Sequence, residues 1–308
     1  MVFANPFGRI VVGYDNSLAA DIALDQALAL AQQYGGDVTV VSATDVPVAS
    51  IVQLQTAANA PKYEFAPLLD SLDEHRASLY AKLSARVARC PVPVSLEFSI
   101  GDSAPGILDA AKRWKATAIA IGTNTRVAER VVRGALVPVI VVREGMSVKS
   151  FHRIVVGIDS AELPTAASAM ALTLARDRSV RLVYCSVFDT ASIMQRIADM
   201  PIDPTSLIAE MREAANDVLD FATQNANARA IFPDTEVTDA EDAATGIVEV
   251  ARRHHADAII VGNHKRGDFE RFFVNSTAEE VMRHSDVLVI VVPTGASIAA
   301  DLPGVAIA

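Results

Sequence analysis

Residues 261–283, VGNHKRGDFERFFVNSTAEEVMR, bring together the side chains best suited to holding a ligand. Gly262 closes an apolar run, and Asn263 and His264 follow it. Lys265 and Arg266 set positive charge beside Gly267, and Asn275, Ser276 and Thr277 lead into a helical stretch. Asn, Ser and Thr are favoured helix caps, and Ser276 with Glu279 has the spacing of a capping box. A helix N-terminus leaves backbone N–H groups unsatisfied and carries partial positive charge, so it also suits an anion. Two readings follow: a polyphosphate cradle, or a capped helix behind a solvated basic loop. Asp15 and Asp159 are a second constellation. Each stands just past an apolar run, where a carboxylate could accept a hydrogen bond from an exocyclic amine or a ribose hydroxyl, or could serve the turn into the next helix.

Other combinations are weaker. Ser17 and Ser160 lie near Asp15 and Asp159 with no His close in sequence, so a hydrolytic triad is not supported. His254-His255 ends a helix without ligands at metal spacing and reads as a surface pair favoured by the helix dipole. Glu210–Glu213 and Glu279–Glu280 read as solvated helix faces. Cys90 and Cys185 form no CxxC pair and read as free buried thiols.

The elements that must position these residues occur twice. RIVVGYDNS (9–17) returns as RIVVGIDSA (153–161). GDSAPGILDAA (101–111) returns as EDAATGIVEVA (241–251), and AIAIG (118–122) as AIIVG (258–262). VAERVVRGALVPVIVV (127–142) matches TAEEVMRHSDVLVIVV (277–292). Four segments in one order at offsets of 140–150 residues make a duplicated domain. The Val/Ile runs fit strands buried on both faces of a parallel sheet, the third strand of the repeat being read in AIFPDTEV (230–237). Helical stretches at 18–34, 66–89, 104–115, 164–176, 205–224 and 243–254 alternate with them. The expected fold is α/β: two tandem doubly wound domains, over 1–146 and 151–294, with helices on both faces and a tail at 295–308. The short join at 145–153 should hold the domains side by side. Long connections at 46–65 and 189–204 follow strand carboxyl ends, where open α/β sheets bind ligands. In each repeat the crevice is expected between the first and fourth strands. The halves differ there: four residues (123–126) separate Gly122 from Val127, against fourteen (263–276) between Gly262 and Thr277, so the first half lacks the cradle.

Composition sets limits. The 308 residues are 51% hydrophobic with a mean hydropathy of +0.28, an ordinary globular balance. The net charge of −10 argues against a nucleic-acid partner held through phosphates. It is uneven: residues 1–150 carry 14 basic and 14 acidic side chains, and residues 151–308 carry 13 and 23. No apolar run is long enough for a membrane span, and residues 1–8 lack the pattern of a secretion signal, so the expected compartment is the cytoplasm.

The RIVVGxD opening, the helix before AIIVG, and the final VxVIVV strand, each present twice, resemble universal stress proteins over nearly the whole chain. That resemblance implies a five-stranded parallel sheet in 3-2-1-4-5 order. It also implies, in a nucleotide-binding branch, a Gly-x-x-Gly-(nine residues)-Gly-Ser/Thr loop. On this chain Gly262 takes the first glycine, Lys265 stands at the second, Arg266–Val274 supply the nine, Asn275 replaces the third glycine, and Ser276 keeps the hydroxyl. Asn263, His264 and Thr277 complete the loop. The adenine-side positions would be Asp159 and Val187, with Asp15 and Ala43 as first-half equivalents. The implied ligand is ATP with Mg, bound in the second half by a stress-response regulatory module with no catalytic residue. The alternatives are a nucleotide-free pseudo-dimeric scaffold acting through protein partners, or an enzyme of the adenine-nucleotide α-hydrolase type. The last would need an SGGxDS-like loop where the chain has GYDNS and GIDSA. Family members dimerise through their last strands, so residues 137–142 and 288–292 are expected to pair within the chain, with a further homodimer left open.

Overall fold

The computed structural model describes residues 5–44, 66–88, 90–123, 126–146, 150–158, 165–177, 179–188, 190, 194, 203–263 and 277–294. The first half runs β1 (Arg9–Gly13), α1 (Leu18–Tyr34), β2 (Asp37–Thr44), α2 (Ala66–Val87), β3 (Val94–Ile100), α3 (Ser103–Arg113), β4 (Ala118–Gly122), α4 (Arg126–Gly134) and β5 (Val139–Val142). The second runs β6 (Arg153–Gly157), α5 (Ala166–Leu174), a 3-10 turn (Ala175–Asp177), β7 (Arg181–Phe188), α6 (Pro204–Asn227), β8 (Asp234–Asp239), α7 (Ala243–Arg253), β9 (Ala258–Asn263), α8 (Thr277–His284) and β10 (Leu288–Pro293). Side-chain caps start most of these helices. Ser17 Oγ accepts from Ala20 N, Thr165 Oγ1 from Ser168 N, and Asp242 Oδ1 from Thr245 N. Asp203 caps α6 ahead of Pro204, whose missing N–H costs nothing at a first turn. The long connections expected at 46–65 and 189–204, and the tail at 295–308, fall almost wholly outside the described residues.

The strands form one ten-stranded sheet in the order β3-β2-β1-β4-β5-β10-β9-β6-β7-β8. Each half keeps the 3-2-1-4-5 order with parallel neighbours, and the halves meet through the antiparallel pair β5–β10. The last strands therefore do pair within the chain. The register Val139↔Val291, Ile140↔Ile290, Val141↔Val289 places a pseudo-twofold axis at Ile140 and Ile290, which the repeat offset of 150 makes equivalent. Two apolar layers cover the faces, and each runs across the join. One holds α1, α5 and parts of α2 and α6, the other α3, α4, α7 and α8.

The axis also organises charge. Arg133 of α4 forks Glu279 of α8 at 2.5 and 2.7 Å, and Arg283 of α8 reaches Glu129 of α4 at 2.8 Å. Arg133 matches Arg283 and Glu129 matches Glu279 across the repeat, so this is the reciprocal contact of a twofold interface. The expectation of a solvated face at Glu279–Glu280 is corrected here. Glu279 is 3% exposed, because α4 of the other half covers it, and Glu280 is half-buried against Arg283 and His284. Glu210 and Glu213 are exposed.

The strand read at 230–237 is displaced: β8 spans Asp234–Asp239. Ala230 turns with φ 57°, Ile231 N is spent on Ala226 O, and Pro233 has no N–H to offer a ladder. The outer strands β3 and β8 are half-exposed rather than buried on both faces, as befits the two ends of the sheet.

Neither cysteine is in a disulfide; Cys185 is buried and Cys90 half-buried. Burial, with help from Glu236, pushes the Cys185 thiol up to about 12. A thiol that stays protonated in the fold but ionises near pH 9 when unfolded contributes stability below that pH, and the contribution fades as pH rises toward the folded value. The denaturant midpoint is therefore expected to fall between about pH 9 and 11. Thiol reagents at neutral pH should modify Cys90 at least about a hundredfold faster than Cys185. Equal labelling rates would contradict this burial.

Candidate functional site

In the first half the sheet's reversal in strand order opens a cleft of about 200 Å³ at the carboxyl ends of β1, β2 and β4. Val41, Ala43, Ile107 and Ile121 give it apolar walls, and Gly122 closes it beside α1. A Cβ at Gly122 would lie 2.7 Å from Ala19 Cβ, so only glycine lets α1 approach β4 this closely. Asp15 lines the cleft, and its Oδ1 accepts the Ser17 N–H at 3.0 Å. Its carboxylate therefore serves the turn into α1. Below it Tyr14 OH donates to Asp21 Oδ1 at 2.5 Å, while Lys82 sits over the Tyr14 ring and donates to Asn16 Oδ1. Burial and Asp21 push the Tyr14 hydroxyl above the usual tyrosine range, so it remains a neutral donor.

Across the cleft Asp102 caps α3, and Arg130 of α4 forks it at 2.7 and 2.5 Å. The Arg130 hydrogen bond holds the Asp102 carboxyl below its usual range, against a smaller effect of desolvation. Carboxylates therefore stand at two corners of this cleft, Asp15 on the N–H of Ser17 that caps α1 and Asp102 at the start of α3, and Asp15 is the charged residue among the described lining. That is a poor setting for polyphosphate. The repeat puts Asp242 and Glu280 where the first half has Asp102 and Arg130. Asp242 caps α7 through Thr245; desolvation acts to raise its carboxyl, but the hydrogen bonds from Thr245 and Ala244 together with nearby His284 leave it below the usual range.

In the second half β6 lies between β7 and β9, the same switch point. The Ile158 N–H bonds Cys185 O at 2.8 Å, as Tyr14 N bonds Val41 O in the first half. Val187, half-buried near the end of β7, packs on α7, where a Cβ at Gly246 would lie 2.6 Å from Val187 Cγ1. Gly262 and Asn263 close β9, in register with Val292 and Pro293. Thr277 is exposed and opens α8. The fold therefore brings Val187 and Gly262 to strand ends on either side of β6. Asn263 does not join them: its Nδ2 donates to Val132 O of α4 at 3.1 Å, across the pseudo-twofold interface. Asp159, His264, Lys265, Asn275 and Ser276 lie outside the described residues.

Sequence reasoning missed the first-half residues at this border, Val132, Arg133 and Arg143. A signal was available: Glu129/Arg133 and Glu279/Arg283 are i,i+4 pairs at matching repeat positions, as a twofold contact requires. His254, expected at the surface, is half-buried, with Nε2 2.6 Å from Glu236 Oε2. Among the described residues no group of three or more His, Cys, Asp or Glu side chains is placed to hold a metal, and no helix is long and apolar enough to cross a membrane.

The model of the Universal stress protein family matches this chain twice, over residues 6–143 and 150–293. The crystal structure of a universal stress protein from Archaeoglobus fulgidus DSM 4304 is similar, with a TM-score of 0.67 at 17% identity, covering 94% of this chain and 97% of that one. A functionally unknown protein from Pseudomonas aeruginosa PAO1 follows the same course, with a TM-score of 0.56 at 15% identity over 95% and 94% of the two chains. At these identities the structures speak for the fold. No curated protein matches the chain.

Proposed function

The chain belongs to the universal stress protein family in both of its halves, and from that premise we propose that it is a regulatory binding module taking one adenine nucleotide, ATP with Mg, in the second half. One observation carries the reading. The same switch point occurs twice, and in the first half it is a real cleft, while only the second half follows it with a fourteen-residue connection bearing Lys265, Arg266 and Ser276. Val187 and Gly262 fit such a ligand, as an apolar wall and a strand end without a side chain. Asp159 would face the base or ribose. Lys265 would meet the phosphates as a point charge in place of a glycine backbone. The ligand acts as a signal, and no residue is assigned to turnover.

Calorimetric titration with ATP·Mg tests this. One site per chain is expected, with Ser276→Ala plus Asp159→Ala lowering affinity at least about a hundredfold through lost charge-assisted and backbone-side contacts. Binding unchanged by that double substitution would reject the assignment. A second reading, a nucleotide-free scaffold working through protein contacts, draws on Asn263, whose side chain is committed to Val132 rather than to the crevice.

A further inference from the structure

We propose that the first-half cleft is a binding site of its own for a small organic cation, a protonated amine carried on an apolar body, with the Asp15 carboxylate as its anchor. The site is independent of any nucleotide in the second half. What selects the ligand is the set of hydrogen-bonding groups already spent around the cleft. The donors are spent. Tyr14 N goes to Val41 O, Ser17 N to Asp15 Oδ1, Ala20 N to Ser17 Oγ, and Ala104 N to Asp102 Oδ1. Thr123 N, just beyond Gly122, goes to Val142 O. The nearby cations are spent as well, Lys82 on Asn16 and Asp21 and Arg130 on Asp102. Arg126, at the start of α4, is exposed and stands outside the lining. An acceptor is left over. Asp15 is exposed and lines the cleft, and with Oδ1 on the Ser17 N–H its Oδ2 has no partner among the described residues. Its place is set in advance: the next residue, Asn16, turns with φ 66° and is held by Lys82.

Such a site chooses by charge and by body. An anion meets Asp15 and Asp102 and finds no open N–H among the described donors. A bare metal ion meets one open carboxylate beside apolar walls, where calcium or magnesium takes about six oxygens. An ammonium group, by contrast, donates to Asp15 Oδ2 in a charge-assisted hydrogen bond. Its apolar body displaces water from the walls at Val41, Ala43, Ile107 and Ile121. The strand ends leave the room for it, since Gly13 and Gly122 carry no side chain and Ala43 only a methyl. At about 200 Å³ the cleft is smaller than a drug-sized site and suits a body of roughly ten non-hydrogen atoms.

The test is a titration of the full chain, isotope-labelled at the isoleucine δ-methyl groups and followed by NMR, because Ile107 and Ile121 wall the cleft. The probe is 2-phenylethylammonium, with 2-phenylethanol and phenylacetate as neutral and anionic counterparts of similar size. The Ile107 and Ile121 methyls are expected to shift along a saturable curve with a Kd of about 1 mM or tighter for the amine, and at least about tenfold weaker for the alcohol and the acid. Asp15→Asn keeps an oxygen for the Ser17 N–H while removing the charge, and should weaken the amine at least about tenfold. Ala43→Leu fills the cleft without altering Asp15 and should weaken the amine by as much. No saturable shift by roughly 10 mM amine, equal affinity for amine and alcohol, or an amine affinity unchanged in Asp15→Asn overturns the proposal. So does ATP·Mg that shifts the same two methyls and displaces the amine, since the cleft would then be a nucleotide site. If the chain binds no ATP·Mg while the amine contrast holds, the reading of the second half fails and the cation site stands.

Discussion

An Ile290→Asp chain is expected to lose the native state of both halves together. Ile290 is fully buried on the pseudo-twofold axis, paired with Ile140 on one side and Ile260 on the other. A carboxylate there has no partner, and its burial costs more than about 4 kcal/mol, a large share of the roughly 5–15 kcal/mol that a folded chain has to lose. Because the apolar layers run across the join, the damage is shared. The chain's one tryptophan, Trp114, lies in the first half with Nε1 bonded to Glu97, so it reports on the half that does not carry the substitution. In the parent chain, Trp114 fluorescence and far-ultraviolet circular dichroism should fall along a single urea transition. In Ile290→Asp both should read as unfolded without denaturant. A native Trp114 signal beside roughly half the dichroism would show that the halves fold independently and that the shared layers carry little.

Removing residues 264–273 is expected to abolish ATP·Mg binding, a loss beyond about a hundredfold, while the melting temperature stays within about 4 °C of the parent. The deletion leaves Asn263, Val274, Asn275 and Ser276 between Gly262 and Thr277. That is the length with which the first half connects Gly122 to Val127, and there the strand and helix close around a formed cleft. Asn263 keeps its bond to Val132, and Glu279 keeps Arg133. Retained affinity in the shortened chain would move the site away from the loop. Collapse of the fold would mean that the loop supports the half structurally.

Much of this architecture can be read from the residues because Val and Ile runs at repeated offsets leave few other ways to bury them. The helix at residues 18–34 has the bounds expected of it, and the others agree to within a few residues. β8 escaped because an edge strand with the sequence DTEVTD is not an apolar run, and the eye is drawn to the Ala-Ile-Phe before it. Glu279 escaped for a different reason. Its helix looks solvated when one repeat is considered alone, and it is buried only by the other repeat. The same holds for Asn263, which sits in a loop motif by sequence and at the interface in space. Periodicity describes what one segment buries, whereas these residues are decided by where a pseudo-twofold axis passes.

The most direct test of a nucleotide-gated module is native mass spectrometry of the freshly purified full chain, before and after addition of ATP·Mg. One adenine nucleotide per chain is expected, retained or taken up stoichiometrically, and none in the chain lacking residues 264–273. A chain that stays at its own mass at roughly millimolar ATP·Mg would contradict it, leaving Lys265 and Asn275 as marks of a lost site.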